Sequence, residues 1–111
     1  METKVTRLPD GATVVRLLGR LNMVSANSLR DTVDDLVEQG SVRIVVDLSE
    51  VVFLDSSGLG ALIGGVKATR RHGGDLRIAG PTEQVQLVLQ LTNMERILAP
   101  HPTIESALQH A

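Results

Sequence analysis

The side chains best placed to do chemistry are the hydroxyls of Ser56 and Ser57, within Phe53-Leu54-Asp55-Ser56-Ser57-Gly58-Leu59-Gly60-Ala61-Leu62-Ile63-Gly64. The apolar run Val51-Val52-Phe53-Leu54 leads into them, and a helical pattern follows, so the segment reads as a strand end turning into a helix. A helix N-terminus presents unpaired backbone N–H groups and about half a positive charge. Small residues crowd this turn and leave the hydroxyls uncovered. A phosphate placed there is favoured by the dipole and leaves the helix intact. Local chemistry equally allows Asp55 or Ser56 to serve as the helix cap, and capping and modification are compatible when one residue caps and its neighbour is exposed.

Other chemistries fit less well. Gly58 and Gly60 match the first two positions of G-x-G-x-x-G, but Ile63 stands at the third, and the chain has no room for a second nucleotide-binding half. A serine hydrolase elbow, G-x-S-x-G, is missing because Leu54 stands two residues before Ser56. The histidines make poor general bases: His72 adjoins Arg70 and Arg71, His101 lies between prolines, and His110 is next to the chain end. All three read as ordinary surface residues. Asp47 and Asp55 could be imagined as a metal or acid–base pair, but Asp47 reads as the end of its strand, in a solvated turn with Ser49 and Glu50. Lys67, Arg70 and Arg71 read as a solvated helix end, where cations complement the dipole.

The elements that position the serines follow from periodicity. Val5 to Leu8 and Thr13 to Leu18, joined by Pro9-Asp10-Gly11, predict an antiparallel hairpin whose second strand ends at Gly19. Ala26, Leu29, Val33, Leu36 and Val37 share one helical face, with Asn22, Ser25 and Asn27 as candidate N-caps and Gly40 for the left-handed position after the helix. Val42 to Leu48 is a nearly unbroken apolar strand, the pattern of burial on both faces. Leu59, Leu62, Ile63 and Val66 define the helix after Ser56, stopped by Gly73-Gly74. Leu76 to Ala79 is a short strand. Pro81-Thr82-Glu83 opens a helix carrying Val85, Val88, Leu89 and Thr92, which Asn93 can close. Arg96 to Ala99 is expected as a final edge strand, and Thr103 as the cap of a terminal helix with Ile104, Ala107 and Leu108. Alternation of this kind implies one sheet with helices packed against it.

Composition narrows the function. The 111 residues are expected to form a single domain spanning 1–111, too small for a two-lobed catalytic cleft. At 42% hydrophobic and 22% charged the chain is ordinary for a globular protein. A net charge of -2 gives no electrostatic reason to bind nucleic acid or anionic lipid. Phe53 is the only aromatic residue, so a base-stacking platform is absent. The lack of cysteine excludes disulfides, thiolate metal sites and a cysteine nucleophile. Neither a signal peptide nor an apolar run near the ~20 residues of a membrane span is present, so a cytoplasmic protein without direct membrane insertion is expected.

Asp55-Ser56-Ser57-Gly58-Leu59-Gly60, after Val51 to Leu54, resembles the signature of STAS domains, specifically the stand-alone bacterial anti-sigma factor antagonists. The resemblance extends over nearly the whole chain, through Arg16-Leu17-Leu18-Gly19-Arg20-Leu21, Val42 to Leu48, Gly73-Gly74-Asp75-Leu76 and Glu83 to Leu98. It implies an α/β fold, a mixed sheet of four to five strands with helices mainly on one face. It also implies a binding module rather than an enzyme. Ser56 would be the phosphorylated serine, with Ser57 a supporting or secondary site and Asn22, Asp55, Ser57, Gly58 and Gly60 contacting the partner. In that scheme Asp55 orients the hydroxyl or the kinase loop, and Gly58 and Gly60 allow close approach. The implied partners are an anti-sigma factor with serine kinase activity and a PP2C-type phosphatase. ATP and magnesium would belong to the kinase, so no cofactor is expected here. Where the sporulation-type antagonists carry Gly-x-Leu-Asp, this chain has Gly19-Arg20-Leu21-Asn22, keeping the size and hydrogen bonding of the last residue without its charge. Two alternatives stay open: a constitutive adaptor subunit of a membrane lipid-transport complex, and a small-molecule or nucleotide sensor.

Overall fold

Pro9-Asp10-Gly11 makes the first reversal. Gly11 takes φ 92°, the Asp10 carboxylate accepts from Ala12 N at 3.0 Å, and Leu8 N donates to Ala12 O at 2.8 Å. The hairpin so closed joins β1 (Glu2–Arg7) to β2 (Thr13–Leu21) in antiparallel register. In this computed structural model, which describes residues 1–109, there follow α1 (Met23–Glu38), β3 (Arg43–Leu54), α2 (Ser56–Arg71), β4 (Asp75–Ala79) and α3 (Glu83–Leu91). A 3-10 turn (Met94–Arg96), the two-residue β5 (Pro100–His101) and α4 (Ile104–Gln109) complete the chain. His110 lies outside the described residues.

The five strands lie in the order β1-β2-β3-β4-β5, and every pair after the hairpin is parallel. This is the mixed α/β architecture expected from the alternation of patterns. One face of the sheet, with Val15, Leu17, Ile44, Val46 and Ile78, is covered by α1, α2 and α3 through Leu29, Val33, Leu62, Val66, Val85 and Leu89 in a single apolar cluster. Among the described residues the other face carries α4 alone, whose Ala107 packs on Val45 and Ala79.

Besides β1, which begins at Glu2 and not at Val5, three boundaries differ from the sequence reading. β2 does not stop at Gly19: that glycine takes φ 108° within the strand, and the register slips beside it, carrying the strand on to the buried Leu21. Asp47 does not end a strand in a solvated turn. It is 7% exposed in the middle of the 12-residue β3, which absorbs both apolar runs. Arg16 pairs with Asp47 and Leu18 with Glu50, so β3 holds an extra residue there, a bulge. The bulge is stitched by Asp47 Oδ1 accepting from Ser49 N at 3.0 Å and by Arg16, 3.8 Å from Asp47 and 2.8 Å from Glu50. A bulge and a turn use the same polar residues, which is why the two were confused.

The third difference is the last strand. Arg96 to Ala99 is not extended. Asn93 takes the left-handed conformation at φ 57°, and the chain curls so that Ile97 N and Leu98 N both donate to Met94 O, burying Leu98. The pairing segment comes later, at Pro100–His101 beside Ile78 and Ala79. Proline has no N–H for a ladder, so it suits only such a short edge.

Candidate functional site

Leu21 and Leu54, the last residues of β2 and β3, are register partners. Two parallel strands therefore end side by side, and each feeds a helix. The N-termini of α1 and α2 thus emerge together at one edge of the sheet.

Asp55 joins them. Its Oδ1 accepts from Gly58 N at 2.9 Å, capping α2, and its Oδ2 accepts from Met23 N at 3.1 Å, the first N–H of α1. Its own N–H donates to Leu21 O at 3.3 Å. Both carboxylate oxygens are therefore engaged with backbone, and neither holds the Ser56 hydroxyl. Rather than orienting the hydroxyl, one of the two roles implied for Asp55, the carboxylate fixes the strand-to-helix turn on which the serines sit.

Asn22 caps α1, its Oδ1 accepting from Val24 N at 3.0 Å and Ser25 N at 3.2 Å. Ser25 Oγ in turn accepts from Asn22 N at 2.9 Å, closing a capping box, and donates to Arg20 O at 2.7 Å. Of the three cap candidates, geometry selects Asn22, with Ser25 as its reciprocal partner.

Ser56 is the first residue of α2 and is exposed, while Ser57 is half-buried beside it. Neither hydroxyl has a hydrogen-bond partner among the described residues. Gly58 is buried. A Cβ there would stand 2.3 Å from Leu21 O and 2.8 Å from a Leu54 methyl. Its smallness lets α2 press onto the strand ends, so the expectation that Gly58 eases a partner's approach is corrected. Gly60 is half-exposed, with room for a Cβ 3.5 Å from the Arg30 guanidinium on α1.

The site holds residues that periodicity did not single out. Met23 and Val24 are 72% and 85% exposed on the first turn of α1, tied to Asp55 through the Met23 N–H. Two apolar side chains ahead of the buried stripe were the available signal. Arg20 stands 4.9 Å over the Phe53 ring, a cation–π contact on the same edge. Gln84, from α3, gives the end of β3 an amide partner: Oε1 accepts from Leu54 N at 2.9 Å and Nε2 donates to Leu54 O at 3.3 Å. No local sequence signal announces that long-range pair.

The remaining candidates lie elsewhere. His72, at the far end of α2, places Nδ1 3.0 Å from Ala68 O. His101 lies on β5, and Lys67, Arg70 and Arg71 are exposed on the last turns of α2.

An exposed serine opens a helix here, beside an aspartate that braces two helix starts at one end of a five-stranded mixed sheet, and this combination defines the class of α/β domain. The STAS domain family profile matches residues 3–107, and the chain belongs to that family. A Thermotoga maritima protein with a provisional anti-sigma factor antagonist name is 30% identical over 104 residues, covering 93% of this chain and 92% of the relative. The anti-sigma-B factor antagonist of Bacillus subtilis is 28% identical over 95 residues, 86% of each chain. A crystal structure of an anti-sigma factor antagonist from Mycobacterium paratuberculosis superposes with a TM-score of 0.86 at 28% identity, over 98% of this chain and 92% of that one.

Proposed function

We propose that this protein is an anti-sigma factor antagonist whose unmodified form binds an anti-sigma factor through the edge around Ser56. The bound anti-sigma factor would release its sigma factor. In the proposed cycle that same partner is a serine kinase, phosphate on the Ser56 hydroxyl ends the complex, and a PP2C-type phosphatase restores the free serine. The protein is then a binding partner and a substrate, not a catalyst. The names of its relatives support this reading, and the observation that carries it is the exposure of Ser56, whose hydroxyl has no hydrogen bond among the described residues.

Electrostatics suffice for the switch. A phosphoserine adds about -1.5 to -2 charges at neutral pH. One partner carboxylate at ~4 Å, with an effective dielectric of ~20, opposes each unit charge by about 4 kcal/mol. A third of that weakens binding roughly tenfold. Asp55 already engages the capped N–H of Gly58, so the fold does not need the Ser56 side chain in either state.

Intact mass of the protein recovered from its own cell tests the proposal. A species heavier by one phosphate is expected, lost in Ser56→Ala and kept in Ser57→Ala. An unmodified population under every growth condition, or phosphate that survives Ser56→Ala, contradicts it.

A further inference from the structure

At the sheet edge opposite Ser56 lies a cavity of about 330 Å³, bounded by the starts of β3 and β4, the end of α4 and the α2–β4 turn. Val45 and Leu108 contribute apolar wall, and Arg43, Arg70, Arg77 and Asp75 contribute charge. The register explains the assembly. Arg43 pairs with Asp75 and Val45 with Arg77 across β3 and β4, on the face that α4 covers only in part.

Among the described residues, these arginines outnumber their carboxylate partners. Asp75 is shared, its Oδ1 lying 3.2 Å from Arg70 Nε and its Oδ2 3.2 Å from Arg77 Nε. Arg77 Nη1 also donates to Ala107 O at 3.2 Å, and Arg43 reaches only the exposed Asp10, at 3.9 Å. Among the described residues, Arg70 is held through Nε alone, and neither terminal nitrogen has a partner there. Among the described residues, three guanidiniums face two carboxylates, an excess of one positive charge. The side chain of Arg77 is only 21% exposed, which raises the value of an anionic partner above that at an open surface.

We propose that this cavity binds a small monocarboxylate with an apolar body. Ligand sites run from about 300 to 1,000 Å³, mostly apolar with a few charged groups fixing orientation. A carboxylate matches the guanidinium fork, and a single negative charge matches the single excess positive one. An apolar tail matches Val45, Leu108 and the adjoining Ala107. The site lies at the start of β3 and Ser56 just past its end, so it is separate from the proposed phosphorylation surface.

Amide chemical shifts of the full chain, titrated with octanoate below its aggregation concentration, test the assignment. Saturable shifts are expected at Val45, Gly74, Ala107 and Leu108, with Asp55 to Gly60 unmoved. Acetate and octylamine at the same concentrations should not saturate. Arg77→Gln should weaken octanoate at least tenfold. Because Arg77 also holds α4, Arg70→Gln, at an exposed residue, serves as the second variant and should weaken it several-fold. Absence of saturation, equal binding of octylamine, or unchanged affinity in both variants overturns the proposal.

Discussion

Asp55 and Met23, 32 positions apart, are joined by a 3.1 Å hydrogen bond from the Met23 N–H to the Asp55 carboxylate. The bond sets the exposed first turn of α1 beside Ser56. It makes the surface around the serine a property of two helices, held by one side chain.

Removing that side chain should loosen both. In Asp55→Ala the Gly58 and Met23 N–H groups lose their acceptor. An N-cap substitution costs about 1 kcal/mol, and the second charge-assisted bond adds to it. A loss of about 2 kcal/mol is expected, read as a lower urea midpoint at unchanged m-value. Asp55→Asn, which keeps an acceptor, should recover more than half.

Ser56→Asp should weaken binding of the cognate anti-sigma factor at least tenfold while leaving the unfolding midpoint unchanged or slightly raised. An acid in the first turn of a helix is favoured by the dipole, so the fold has no reason to resist it. Calorimetric titration against the purified partner gives the affinity. Wild-type affinity in Ser56→Asp would remove electrostatic repulsion as the switch.

The glycines of α2 separate by what surrounds them. Gly58→Ala drives a methyl to 2.3 Å from Leu21 O, a backbone atom that cannot swing away. A cost of about 3 kcal/mol is expected, at the upper end of overpacking penalties, and partner binding should fall with the distorted turn. Gly64 has open space around it, so Gly64→Ala should stabilise by up to about 1 kcal/mol through helix propensity. Paired denaturant melts check the opposite signs.

How legible this site was depends on the range of the interactions that build it. The serine turn, the Asn22 cap and the left-handed Gly40 and Asn93 follow from residue type and nearest neighbours, and all could be read along the chain. What could not be read is lateral. Asp55 reaching Met23 and Gly58 pressed on Leu21 need the β2–β3 register, which slips twice, and Gln84 reaching Leu54 needs α3 packed on β3. The same slips hid Asp47, whose polar neighbours look like a turn until Arg16 is seen beside them. The last strand lies later than the apolar run predicts because burial of Leu98 through a curled segment outweighs the run's extended preference.

Val24, 85% exposed, is an apolar side chain without a structural task, on the first turn of α1 that Asp55 ties to the start of α2. Burying a valine against a partner is worth about 1.5–3 kcal/mol. Val24→Ser should therefore weaken binding by more than tenfold and leave stability within about 0.5 kcal/mol. If affinity is unaffected, the partner does not cover the start of α1.

Asn22 tests whether the missing charge matters. Its Oδ1 accepts from two backbone N–H groups at a helix start, a role an aspartate carboxylate fills equally well. Asn22→Asp should therefore keep or slightly raise stability, since the added charge meets the positive end of α1. Asn22→Ala, which removes the acceptor, should cost about 1 kcal/mol. A partner adapted to this chain faces a neutral residue at that point, so the new carboxylate must find a cation or remain opposed. If the partner's surface there is neutral or acidic, Asn22→Asp weakens binding several-fold while the melt is unchanged; if it is basic, binding tightens. Unchanged affinity in both Asn22→Asp and Asn22→Ala would place this loop outside the contact and confine the interface to Ser56 and the first turns beside it.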